Sequence, residues 1–201
     1  TGLSGALMAQ LGVPVVLHFA GFSLLIVALT IFSFSDFTQA PPRPSAKTST
    51  PQFVRPSTAI MMLVCLTLSA MLAEGAAIDW SVIYMRDIFA TLPLISGLAL
   101  ALTAFFQFIT RYFGDYFVVQ YGPQKVAKIC LWIMLAGVIL VAVAPAWPLA
   151  LVGFACLGAG SSVIFPLGMS AAAQLKDRPA AANLAALAQI SFVVFLLAPP
   201  L

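Results

Sequence analysis

The sequence predicts an all-α protein, a polytopic transmembrane helical bundle. Three observations lead there. Apolar residues make up 62% of the 201 positions and charged residues only 7%, for a mean hydropathy of +1.08. The apolar residues are gathered into runs of about 20, the length a helix needs to cross a bilayer. Within the runs, polar and apolar residues do not alternate as they would in a barrel strand. A water-soluble domain carries about 25% charged residues, far more than this chain has to cover a wet surface. Disorder requires a low apolar content and collagen a glycine repeat, and the sequence has neither.

The elements follow in order. Residues 1–12 are uncharged and rich in Gly and Ala, too short to span, and read as the tail of a helix. Val13 to Phe34 is a full span entered through Gly12-Val13-Pro14. Ser35 to Thr58 holds five prolines, many Ser and Thr, and Arg43, Lys47 and Arg55, a composition that forms a linker and not a core. Ala59 to Met85 is the next span, with Arg86 and Asp87 at its exit. Ile88 to Thr110 follows and ends at Arg111; Tyr121-Gly122-Pro123-Gln124-Lys125 then makes a short turn. Val126 to Ala144 is closed by Pro145-Ala146-Trp147-Pro148, Leu149 to Leu175 by Lys176-Asp177-Arg178-Pro179, and Ala180 to Ala198 is last. The total is six spans and a partial one. The chain starts on Thr1 and ends on Leu201 beside an apolar run, so it reads as an internal segment of a longer protein.

Charge sets the orientation. Spans alternate, so the connections form two sets. Eight of the nine basic residues (43, 47, 55, 111, 125, 128, 176 and 178) lie on the side of the Pro-rich linker, and only Arg86 lies on the other. This bias places the linker in the cytoplasm and Trp80 and Trp147 near the opposite interface. The net charge of +3 is scattered and makes no basic stripe, so nucleic acid is not an expected partner. Cys65, Cys130 and Cys156 all lie in apolar runs, an odd set that is no disulfide framework. One histidine, His18, builds no metal site with them. With no nucleophile–base pair, metal cluster or nucleotide loop, neither an enzyme nor a cofactor is expected.

Ionised groups inside the spans carry the functional signal. Glu74 and Asp79 lie in Glu74-Gly75-Ala76-Ala77-Ile78-Asp79-Trp80-Ser81. An acid at a helix centre costs about 2.5–3.5 kcal/mol on insertion scales. Counted from Thr58 at about 1.5 Å per residue, Glu74 falls roughly two-thirds across its span and Asp79 near the far interface. Either acid can serve as a tie to a neighbouring helix or a headgroup-level residue. Glu74 can also accept a proton or bind solute, since intramembrane acids mark such routes, while Asp79 and Trp80 would contact solute or gate the outer side. Gln107, Asn183 and Gln189 can each hold a polar solute or bridge helices. In the 149–175 span, Ala155 with Ala159 and Cys156 with Gly160 favour close helix contact. Ser161, Ser162 and the break expected at Pro166 would alternatively line a cavity.

The strongest local pattern is Arg111-Tyr112-Phe113-Gly114-Asp115 followed by Gly122-Pro123-Gln124-Lys125. Gly114 allows close backbone approach. Asp115 can pair with Arg111 and sit at a neighbouring helix N-terminus. Such a contact latches helices together and opens when they rock.

At these residues the chain resembles the major facilitator superfamily. The form R-x-x-G-D-x6-G-x-x-K is similar to the superfamily's signature between the second and third helices of each half, with a longer spacing between Asp115 and Gly122. It resembles the variant in a bacterial branch of sugar-permease-like inner-membrane proteins, whose seventh helix is similar to residues 74–81. The resemblance implies that residues 1–34 end the N-terminal half (the tail of helix 5, then helix 6), that 35–58 join the halves in the cytoplasm, and that 59–201 form an incomplete C-terminal half, helices 7 to 11. It implies that helices 7 and 10 line a central cavity, and that Arg111, Gly114, Asp115, Gly122 and Lys125 form a cytoplasmic latch whose partner lies in the missing N-terminal half. The function it implies is secondary active transport of a small polar solute, such as a sugar, by alternating access with proton coupling at Glu74. Efflux of a drug or metabolite on the same fold, or a non-transporting membrane sensor, are the alternatives.

Overall fold

The computed structural model describes residues 14–37 and 56–197, together with positions 5, 7, 8 and 10–12. Among the described residues these helices follow one another: α1 (Val15–Phe37), α2 (Thr58–Phe89), α3 (Pro93–Tyr121), α4 (Pro123–Val143), α5 (Trp147–Ser161), α6 (Ile164–Gln174) and α7 (Ala180–Leu197). No strand occurs among the described residues. The helices α1 to α4 and the α5–α6 pair, taken as one interrupted span, are long and apolar enough to cross a bilayer, and α7 is a shorter apolar helix. The protein is an all-α, multi-pass membrane bundle. Helix α1 continues to Phe37, three residues into the stretch read as linker; most of that linker, 38–55, lies outside the described residues.

Proline and capping residues set the helix starts. Ser57 caps α2, its hydroxyl accepting from the Ile60 N–H at 3.4 Å. Pro93, Pro123 and Pro148 stand in the first turns of α3, α4 and α5, where a missing N–H costs nothing. Helix α2 ends at Ala90, whose φ of 49° is left-handed.

Several boundaries differ from those read in the sequence: α2 runs through Arg86 and Asp87 to Phe89, and α3 starts at Pro93 and not at Ile88. Arg111 does not end its span: α3 runs on to Tyr121, and the connection to α4 is the single residue Gly122. A charged residue does not stop a helix; the first true stop is Gly122, with φ 83°, followed by Pro123. The 29 residues of α3 extend about 43 Å, more than the roughly 30 Å of hydrocarbon, so its end reaches the headgroup layer. The signature from Arg111 to Asp115 is therefore helical and not a loop. The long span at 149–175 is instead two helices that meet at Ser162 and Val163.

Helices approach closely where glycine removes the side chain. A Cβ on Gly137 would lie 2.8 Å from the Gly153 carbonyl oxygen, and one on Gly153 would lie 2.9 Å from the Val141 nitrogen, which joins α4 to α5. A Cβ on Gly158 would collide with the Thr103 backbone, which joins α5 to α3. Such small-residue contacts drive association in lipid, where apolar area alone offers no gain. The main core runs from Met85 and Ala99 through Met134 to Phe154, Leu157 and Ile164. A second cluster of Ile60, Val64, Ala172, Ala186 and Leu187 joins α2, α6 and α7. Helix α1 touches none of the other described helices, and none of Val15–Phe32 is buried.

One polar cluster ties the ends on the linker side. Asn183 is buried and donates through Nδ2 to Asp177 Oδ1 at 2.9 Å and to the Leu175 carbonyl oxygen at 3.5 Å. Hydrogen bonds from Asn183 first and Ser57 second hold the Asp177 carboxyl below the usual carboxylate range.

Two outcomes are expected of the complete protein in detergent. Gly158→Val lowers the melting temperature by an amount equivalent to about 1–3 kcal/mol of overpacking, while Gly21→Ala, whose Cβ would meet nothing within 4 Å, leaves it unchanged or raises it. Because the folded Asp177 pKa is depressed, its contribution is complete above about pH 4–5 and fades as pH falls below about 3.9. The melting temperature of Asp177→Asn should lack that part of the acid-side decline.

Candidate functional site

The site is built on α2. Its 32 residues place Glu74 near the midpoint of the helix, 16 residues from Thr58 and 15 from Phe89. Asp79 lies five residues, about 7–8 Å, farther along the helix. Thr67, Glu74 and Ser81 are spaced seven residues apart, a step that advances only about 20° around a helix. They therefore form one polar stripe. Thr67 and Ser81 are fully buried at 0% exposure, and Glu74 is half-buried between them.

The stripe is unevenly satisfied. Thr67 Oγ1 donates to the Leu63 carbonyl oxygen at 2.9 Å and lies 3.2 Å from Ser191 Oγ on α7. Ser81 Oγ is buried with no hydrogen-bond partner. Glu74 makes no hydrogen bond or ion pair with any described residue. Gly75 beside it is buried, and a Cβ there would lie 2.8 Å from the Phe195 ring. Asp79 and Trp80 are exposed and point away from the stripe.

Gln107 lies elsewhere, on α3. Four residues before it, Thr103 donates to the Phe154 carbonyl oxygen of α5 at 3.2 Å. Four residues after it, Arg111 Nε donates to the Ser162 carbonyl oxygen at 3.1 Å. Gln107 is half-buried, and its buried Nε2 has no partner. The structure thus sets Gln107 along the α3–α5 contact, apart from Glu74 on α2.

The signature residues separate into two groups. Arg111 and Gly114 both meet the α5–α6 junction: Arg111 at Ser162, and Gly114, which is buried, at Val163, whose Cγ1 would lie 2.9 Å from an added Cβ. Asp115 and Lys125 are exposed, and Gly122 forms the turn. Arg111 and Asp115, although four residues apart on one helix, form no ion pair. The guanidinium turns to the α5 backbone instead. Sequence reasoning missed Thr103 and the Ser162 carbonyl. The four-residue spacing of Thr103, Gln107 and Arg111 was the available signal, but their acceptors are backbone groups.

An apolar groove of about 540 Å³ lies between α3, α4 and α5, lined by Leu102, Phe106, Ile133, Leu151 and Val152 among others. Apart from the Cys156 thiol, its lining side chains are apolar. Among the described residues, no group of three or more His, Cys, Asp or Glu could hold a metal ion.

Comparison with known proteins agrees with the helical reading. No family model and no solved structure matches the chain. It is 27% identical over 146 residues to an uncharacterised transporter of Sinorhizobium fredii, covering 73% of this chain and 39% of that protein. It is 28% identical over 152 residues to an uncharacterised MFS-type transporter of Yersinia pestis, covering 74% and 39%. The chain thus spans about two-fifths of the length of these relatives. In its apolar helices and in these two similarities, the chain is like uncharacterised transporters, one of them of the major facilitator type.

Proposed function

We propose that the chain is part of a secondary active transporter that moves a small polar solute, such as a sugar or related metabolite, across a bacterial inner membrane by alternating access. Protons are the coupling ion and Glu74 is the coupling carboxylate. The observation that supports this most is Glu74 itself. It is an acid near the midpoint of a 32-residue apolar helix, on a stripe with Thr67 and Ser81, bonded to no described group. A carboxylate kept only for helix bridging would hold such a partner, because unpaired charge at that depth is costly. An acid that exchanges protons or binds solute needs its oxygens accessible.

The energetics are adequate. One charge crossing about 100 mV releases about 2.3 kcal/mol, enough for roughly fifty-fold accumulation. The basic linker side is the cytoplasmic side in this reading, and residues beyond this segment supply the other wall of the pathway. Asp79 and Trp80, both exposed, would serve the outer part of that pathway. No step calls for a nucleophile, metal or cofactor.

The test uses the complete protein in proteoliposomes, assayed in both directions against a panel of sugars and related polar metabolites. Glu74→Gln should reduce accumulation driven by a pH gradient at least ten-fold while leaving solute exchange at equal pH within about three-fold. Full pH-driven accumulation in Glu74→Gln would remove Glu74 from coupling. Asp79→Asn should have the smaller effect on the same ratio.

A further inference from the structure

The interrupted span α5–α6 contains a hydrogen bond that the sequence deletes and another helix restores. Pro166 is the third residue of α6. In an unbroken helix the N–H of residue 166 would bond the carbonyl of residue 162. Proline has no N–H, and its ring crowds that same carbonyl. The Ser162 oxygen is thus left without its helical donor, in a residue that is 0% exposed. Inside a bilayer such a group must find another partner within the protein. The donor it finds is Arg111 Nε at 3.1 Å. One residue on, the ladder resumes, with Leu167 N–H donating to the Val163 carbonyl oxygen at 3.0 Å.

The contact is built and not incidental. Thr103 bonds the Phe154 carbonyl and Arg111 bonds the Ser162 carbonyl, and in each pair the partners are 51 residues apart. Helices α3 and α5 therefore run in register: the two donors lie eight residues apart on α3 and their acceptor carbonyls eight residues apart along α5 and its junction. Gly114 brings α3 against Val163, the other residue of the junction. The Ser161 and Ser162 hydroxyls occupy the Gly158 and Ala159 carbonyls just before it, at 3.5 and 3.1 Å.

We propose that Arg111 is a positioning residue for this broken span, supplying from α3 the hydrogen bond that Pro166 removes. A main-chain bond cannot leave its helix, but a side chain can. While the guanidinium is docked, the junction at Ser162 and Val163 is held; when it withdraws, α6 is free to tilt against α5. The inference concerns the junction alone and does not depend on Glu74, on protons or on the identity of a solute.

The test is hydrogen–deuterium exchange on the complete protein in nanodiscs, reading peptides that cover residues 163–168. Arg111→Ala should speed exchange there at least ten-fold. In Pro166→Ala, the new N–H bonds the Ser162 carbonyl, and adding Arg111→Ala should then change exchange less than two-fold. An equal effect of Arg111→Ala with either residue at position 166 would overturn the proposal, as would no effect in the natural sequence. Should Arg111→Ala yield no folded protein, its recovery by Pro166→Ala supports the proposal and a failure to recover overturns it.

Discussion

Backbone contact along α5 sets the arrangement of the bundle. Gly153 lies against α4, Gly158 against α3, and both contacts bring main chains to within van der Waals distance. In lipid this closeness is what favours association, because an apolar side chain gains nothing by leaving hydrocarbon for protein. It also brings the side chains of α3 within reach of the α5 carbonyls. Thr103 and Arg111 can bond across the interface only because Gly158, midway between their acceptors, carries no side chain to hold the helices apart.

The same requirement explains how polar residues are distributed. A buried donor or acceptor in a membrane helix has a partner or marks a function. Most hydroxyls here bond the preceding turn or a neighbouring helix, as Thr67, Thr103 and Ser162 do. Glu74 and the Ser81 hydroxyl do not, and they share one face of α2. On the α3–α5 contact Thr103 and Arg111 are paired and Gln107 Nε2 is not, so unpartnered groups occur both on the stripe proposed as the transport site and on that contact.

The spans were legible because an apolar run is a property of the chain alone: among the described residues five runs are long and apolar enough to cross a bilayer, one of them interrupted, and the last is a shorter apolar helix. Their ends were less so. Arg111 was read as an exit because a charge prefers water, yet α3 continues past it for ten residues, since helix hydrogen bonding does not require an apolar side chain. The stop at Gly122-Pro123 was readable from turn chemistry. Pro166 signalled the break, but the geometry places it four residues upstream, where the carbonyl loses its donor. Glu74 and Arg111 were recognisable as unusual residues. The partner of Arg111 was not, because a backbone carbonyl has no identity in sequence.

The one-residue turn at Gly122 has a mechanical consequence. With φ at 83° and a proline directly after it, the joint offers no slack between α3 and α4. The two helices are tied at that end by a single residue. A twist of α3 that lifts Arg111 from the carbonyl would drag the start of α4 with it, and Gly137, seated on Gly153 farther up, would act as the pivot. Motion at one end of the helix pair would therefore be geared to motion at the other.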